Sequence, residues 1–207
     1  MKKRKIIFMV SGAVVLISVI ITIIFIFTPR KPAELVIDSS LIIPVLKDGD
    51  IILRQGDMQW SAAFSEVSQN DKRFSHLGIV RIRDDEIQII HSLGNIMRRD
   101  AGVRIYSLDM YLLNAMSAGV FRFKHADGSL ISDSALEFLD RPFDWDFDIS
   151  DNSKIYCTEL MHVILESIAP EYKLKTIYLD TVNKNIIPLD SISASDYFDE
   201  IFFIELP

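Results

Sequence analysis

Hydrophobic and polar positions along this chain fall into three regimes. Residues 6–27 form an apolar run of 22 without a charge, interrupted weakly by Ser11, Gly12, Ser18 and Thr22. At 1.5 Å per residue such a run crosses a hydrocarbon core of about 30 Å as one helix. Residues 76–83 and 86–92 instead alternate with a period of two on either side of Asp84-Asp85, which predicts a β-hairpin with a two-residue loop. From Leu160 onward the apolar residues Leu160, Met161, Ile164, Leu165 and Ile168 recur every three or four positions, the spacing of a helix with one buried face.

The hairpin register follows from its loop. Arg83 faces Glu86, Arg81 faces Gln88, Val80 faces Ile89 and Gly78 faces His91. Val80, Ile82, Ile87 and Ile89 then share one face, and His76 and His91 fall on it as diagonal neighbours, about 7–8 Å apart at the backbone. Gly78, opposite His91, leaves the ring room. Counting one turn back along the helix puts Cys157 on its buried face at the first turn. Free N–H groups and the positive dipole end there favour an anion, so the thiol is expected to shift towards thiolate.

The rest reads more coarsely. Asp48-Gly49-Asp50 turns into a strand at residues 51–54, and residues 59–67 form a short helix with a stripe of Trp60, Ala63, Phe64 and Val67 that packs as core. Strands are expected at 103–107 and 120–124, and helices at 108–116, 129–139 and 193–200. Residues 140–147 are an aromatic and acidic loop, 172–187 connecting structure and 201–206 a closing strand. Prolines at 29, 32 and 44 make residues 29–45 a linker. The expected organisation is a basic stub and transmembrane anchor over 1–28, that linker, and an α+β domain over 46–207.

Charge gives the anchor a direction. Lys2, Lys3, Arg4 and Lys5 precede the run and Arg30 and Lys31 follow it, so the positive-inside bias puts the N-terminus in the cytoplasm and the domain outside. A cleaved signal peptide is the competing reading; its apolar region is usually shorter, and no small-x-small site precedes Pro29. Setting the four N-terminal basic residues aside leaves 18 Lys and Arg against 29 Asp and Glu, about −11. Nucleic acid needs a basic footprint and is excluded as a partner; anionic lipid gains no electrostatic help. The single cysteine has no disulfide partner within the chain.

Two imidazoles on one hairpin face and a thiol at a helix start are the parts of a nucleophile, base and orienter set. Bland readings stand beside this one: a lone Cys157 as a small hydrophobe, and each histidine as a satisfied core or rim residue. A zinc site on His76, His91 and Cys157 uses suitable ligand types but lacks any Cys-x-x-Cys or His-x-x-x-His spacing. No metal and no cofactor are expected. His125, in a polar turn, and His162, on the outer side of its helix, are read as bystanders, and Glu159 suits the helix dipole whatever else it does.

Four motifs in order add a resemblance. Gly49-Asp50-Ile51-Ile52-Leu53, Ser75-His76-Leu77-Gly78-Ile79-Val80, Pro142-Phe143-Asp144-Trp145-Asp146-Phe147 and Tyr156-Cys157-Thr158-Glu159-Leu160 resemble the YiiX/YebB-like group. These are circularly permuted relatives of the NlpC-type papain-like cysteine hydrolases. The tail from Ile187-Pro188-Leu189-Asp190 through Ser195 is similar as well. The resemblance implies a permuted papain-like fold, an antiparallel sheet packed on the helix that carries the cysteine, with His76 preceding Cys157 in the chain. It implies Cys157 as nucleophile, His76 as general base and His91 as the third polar residue. Thr158 replaces the usual Ser, and Phe143 stands where Tyr is typical and removes a hydroxyl. Tyr156, Thr158, Glu159 and Asp144 are therefore the candidates for the oxyanion or substrate site, beside backbone N–H groups. The implied activity is a cysteine amidase or peptidase working through an acyl-enzyme, with wall peptide as substrate for an outward-facing domain. A lipid-directed acyl hydrolase or acyltransferase, and a non-catalytic binding domain retaining the fold, are the alternatives.

Overall fold

The computed structural model describes residues 36–56, 59–94, 101–180 and 183–206. The expected membrane anchor over 6–27 lies outside these residues. Among the described residues no helix is long and apolar enough to cross a membrane.

The domain is organised by one antiparallel sheet. Its strands are β1 (Ile51–Gly56), β2 (His76–Arg83), β3 (Glu86–Leu93), β4 (Gly102–Ser107), β5 (Ala115–Phe123) and β8 (Phe198–Glu205), in the order β4-β3-β2-β1-β5-β8. Helix α1 (Gln59–Val67) follows β1, the short α2 (Leu108–Leu112) joins β4 to β5, and α3 (Gly128–Leu136) follows β5. Then come α4 (Cys157–Ile168), the two-stranded β6 (Ile177–Leu179) and β7 (Lys184–Ile186), and the single turn α5 (Asp190–Ser193). The β2–β3 hairpin has the register that its loop implies, with Val80 paired to Ile89, Arg81 to Gln88 and Arg83 to Glu86. Asp84 and Asp85 both adopt positive φ, 51° and 62°, which matches the twist of a tight two-residue hairpin.

Each face of the sheet carries its own core. Leu77, Ile79 and Ile90 from β2 and β3 pack with Leu160, Met161 and Ile164 of α4 and with Ile131 and Ala135 of α3. Strand alternation sends Ile52, Val80 and Ile89 to the other face, where they meet Leu108, Tyr111 and Leu112 of α2. Ile37 and Ile42 belong to this second core and are 2% and 0% exposed. Residues 36–45, expected as the end of a linker, are thus part of the domain: two 3₁₀ turns, Ser39–Leu41 and Ile43–Val45, fold the segment so that Ile37 and Ile42, beside the turns, enter the second core.

Other boundaries shift for readable reasons. The helix expected at 108–116 stops at Leu112, because the next residues enter β5 at Ala115. The helix expected at 193–200 is replaced by α5 and by β8, whose Phe198–Glu205 run pairs along β5. Of the stripe expected on α1, the Trp60 side chain lies outside the described residues.

Candidate active site

The chemistry gathers where β2 and β3 part. Their ladder begins at Ile79 and Ile90, although β2 itself starts at His76, so His76 to Gly78 are released from β3. In that gap His76 Nε2 and His91 Nδ1 lie 2.8 Å apart, a direct hydrogen bond between the two rings. The pair that the hairpin register implied is formed.

Tyr111 holds this pair, and sequence reasoning missed it. Its ring stacks on His76, with centroids 5.7 Å apart and planes at 29°, and meets His91 edge-on at 5.2 Å. Its hydroxyl donates to the Ile52 carbonyl at 2.9 Å, and the Arg54 guanidinium lies 5.1 Å from its centroid. Gly78 makes the arrangement possible, since a Cβ there would fall 2.9 Å from Tyr111 Cε2 and 2.4 Å from Ile89 Cγ2. In sequence Tyr111 is only one inward residue of a short amphipathic helix, which carries no catalytic signal.

Cys157 approaches from the other side. Its helix packs in the core that includes Leu77 and Ile79, whereas the histidines project from the opposite face with Val80 and Ile89. At the edge of the gap the backbone N–H groups of Leu77, next to His76 in the chain, and of Thr158 and Cys157 itself all favour a thiolate at Sγ. Burial outweighs them. Desolvation pushes the thiol up to about 11, so the lowering expected from the helix start is reversed in the resting site. Among the described residues no hydrogen bond joins Cys157 to either histidine.

Burial also keeps both imidazoles neutral. It holds His76, aided by His91 and Arg54, well below 6.5, and it lowers His91 to about 3 with help from Arg54. Because His91 occupies His76 Nε2, Nδ1 is the His76 nitrogen left outside the pair. A basic Nδ1 requires Nε2–H on His76, donating to His91 Nδ1, and places the His91 proton on its own Nε2.

The remaining candidates build the floor and one wall. Glu159 Oε2 accepts the Tyr156 N–H at 3.0 Å in the manner of a capping box. The Tyr156 hydroxyl accepts the Ile187 N–H at 2.9 Å, and Thr158 Oγ1 donates to the Ile187 carbonyl at 2.6 Å. Tyr156 and Thr158 therefore clamp both backbone groups of one residue; the Thr158 proton is spent on the Ile187 carbonyl, whereas the Tyr156 hydroxyl accepts in this clamp and keeps its own O–H. Asp144 turns both carboxylate oxygens onto its own loop, accepting the N–H groups of Asp146 and Asp148. It supports the approach to α4 rather than a substrate. Ser92 donates to the Ile155 carbonyl and ties β3 to the same approach.

Glu159 is fully buried. Burial raises its carboxyl to about 8, reinforced by the charges of Asp144, Asp148 and Asp151, so it is largely protonated at neutral pH. The clamped segment, residues 186–189, joins Phe64, Val67 and Phe147 around a narrow apolar recess, of about 20 Å³, that opens on Cys157. A larger cavity of about 280 Å³ lies at the other end of β1, lined by Lys47, Asp50 and Arg122 among others. Arg122 there pairs with the buried Asp50 at 2.7 Å, and no Cys, Ser, Thr or His is among the residues lining the cavity.

Comparisons with known proteins agree on the fold. The family model described as the permuted papain-like amidase enzyme, YaeF/YiiX, C92 family, matches residues 45–186. A crystal structure of a protein described as the metalloprotein YiiX, from Escherichia coli O157:H7, superposes with a TM-score of 0.64 at 13% identity, over 79% of this chain and 99% of that one. No curated protein matches. Among the described residues of this chain no group of three or more His, Cys, Asp or Glu side chains is placed to hold a metal ion. The 2.8 Å between the facing imidazole nitrogens is a hydrogen bond, shorter than the roughly 3.4 Å that two ligands at about 2.1 Å from a tetrahedral zinc would leave.

Proposed function

The chain belongs to the permuted papain-like amidase family, a family of cysteine hydrolases, and from that premise we propose that Cys157, His76 and His91 carry amide hydrolysis through a thioester. The observation that carries this reading is the 2.8 Å His76–His91 bond, which leaves the second nitrogen of His76 outside the pair, while the backbone N–H of the adjoining Leu77 reaches the helix-start cysteine.

The steps follow from the resting charges. With a thiol near 11 and a depressed imidazole, a resting ion pair is disfavoured. The thiol proton moves to His76 Nδ1 as the C–S bond forms at the substrate carbonyl. The carbonyl oxygen becomes an oxyanion, received by N–H groups at the start of α4. His76 then gives its proton to the departing amine as the C–N bond breaks. In the second half His76 takes a proton from water, hydroxide attacks the thioester, the carboxylic acid leaves and the thiol is restored. His91 fixes the tautomer of His76 and faces the transient imidazolium with Nδ1.

Residues 6–27 serve as a single-pass anchor in this proposal, with the domain outside the cytoplasm and cell-wall peptide as the natural substrate. A second reading, acyl-group removal from lipid, is favoured by the apolar lining of the recess at Cys157. Incubating the full chain in detergent with wall peptides and with phospholipid separates the two. New amine termini selectively in the first support the amidase; free fatty acid alone replaces wall peptide by lipid. Hydrolysis of either that persists in Cys157→Ala contradicts the nucleophile.

A further inference from the structure

One surface breaks the usual rule that the outer side of an amphipathic element is polar. In residues 36–44 the inward positions are Ile37 and Ile42, and the outward positions Val36, Leu41 and Ile43 are apolar too. On α2 the inward Tyr111 and Leu112 are flanked by outward Met110, and Leu113 follows. These five outward side chains are between 42% and 62% exposed. They form one patch: Val36 and Leu113 are joined by an antiparallel bridge, and the first 3₁₀ turn packs on α2. Scattered exposed apolar residues need no explanation, but a contiguous set on two adjoining elements does.

We propose that this patch rests on a phospholipid bilayer, its side chains reaching the boundary between headgroups and acyl chains. The proposal rests on the reading of residues 6–27 as an anchor. That run ends nine residues before Val36, a span of at most about 32 Å even if fully extended. The chain thus enters the domain at the patch itself, and a bilayer holding the anchor is presented to these side chains at high effective concentration. Charge selects the lipid. Asp38 and Asp109 flank the patch, and Arg54 turns inward to the Leu113 carbonyl at 3.2 Å. With about −11 formal charge beyond the basic N-terminal stub, contact with zwitterionic lipid is favoured over anionic lipid.

The position has a consequence for the site. Met110 points outward, and its neighbour Tyr111 holds the two histidines from the same short helix. The His76–His91 pair therefore lies behind the helix that offers Met110 to the bilayer, while Cys157 packs in the core on the opposite face of the sheet.

The test uses the full chain in phosphatidylcholine vesicles. On a Cys157→Ala background, the exposed positions Leu41→Cys and Leu113→Cys are labelled with an environment-sensitive fluorophore. Leu130→Cys, exposed on α3 at the other face of the sheet, is the reference. Doxyl-labelled lipid is expected to reduce fluorescence at positions 41 and 113 and to leave 130 unaffected, while iodide in the buffer does the reverse. Flotation with the vesicles is scored first. If the chain does not float, the anchor reading fails and this proposal with it. If it floats and lipid quenches all three labels alike, only the docking proposal is overturned. Protection from iodide without lipid quenching, lost on dilution into excess vesicles, means that a second copy covers the patch and also overturns it.

Discussion

Glu159 gives the sharpest quantitative expectation. The carboxyl is fully buried, with one oxygen on the Tyr156 N–H and Oε1 without a partner among the described residues. Its folded value of about 8 stands above the 4.5 of an ordinary glutamate, so the folded protein binds this proton more tightly than the unfolded chain. The stability it supports is complete below pH 4.5 and is lost as pH rises through about 8. At about 1.4 kcal/mol per pH unit the full interval amounts to about 5 kcal/mol, and water entering around the charged form brings the expected loss to about 2–5 kcal/mol. Glu159→Gln keeps an acceptor for the Tyr156 N–H and cannot ionise. Urea unfolding of both proteins from pH 5 to 9 should show wild-type stability falling relative to the variant by that amount, the two curves converging at the acid end. A constant difference across the range would refute the argument, because it would mean that Glu159 is ionised throughout or that its loss is merely steric.

Three further outcomes follow from the same geometry. Alkylation of Cys157 should keep accelerating with pH towards about 11; a rate plateau near pH 7 would show that the helix start wins over burial. Gly78→Ala drives a methyl group into Tyr111 and Ile89 and should cost about 1–3 kcal/mol of stability while lowering kcat more than it raises KM. Wild-type kcat in this variant would remove Tyr111 from its holding role. His91→Ala should reduce kcat/KM by roughly 10²–10⁴-fold, and His91→Asn, whose amide oxygen can accept the His76 Nε2–H, should recover part of the loss. Equal activity of the two variants would mean that orientation of His76 is set elsewhere.

How much of this was legible in the sequence varies with the kind of interaction. The hairpin was, because a two-residue loop at Asp84-Asp85 implies the register that Val80–Ile89 and Arg83–Glu86 adopt, although the ladder stops at Ile79 and Ile90, short of the expected Gly78–His91 pair. The start of α4 was, because a 3.6-residue period runs back to Cys157. Residues 36–45 were misread since the prolines at 29, 32 and 44 suggest a linker, while the burial of Ile37 and Ile42 appears only in the core they share with α2. β8 was partly misread because Asp199 and Glu200 imitate the polar side of a helix; its pairing with β5 decides the matter. The protonation states were not legible at all. A helix start predicts a lowered thiol and a capping carboxylate, and desolvation, which depends on every neighbouring segment, raises both Cys157 and Glu159. The opposed faces from which Cys157 and the histidines project, and the packing of Tyr111 on both imidazoles, likewise exist only in the assembled sheet.

The central claim is that Cys157 becomes acylated with His76 as its base. Acid quenching during turnover, followed by peptide mapping, measures it directly. The expected result is an added acyl mass on the peptide containing Cys157, discharged by neutral hydroxylamine as a thioester and absent from His76→Ala. Turnover without any adduct on Cys157, or an adduct that forms equally fast in His76→Ala, would contradict it.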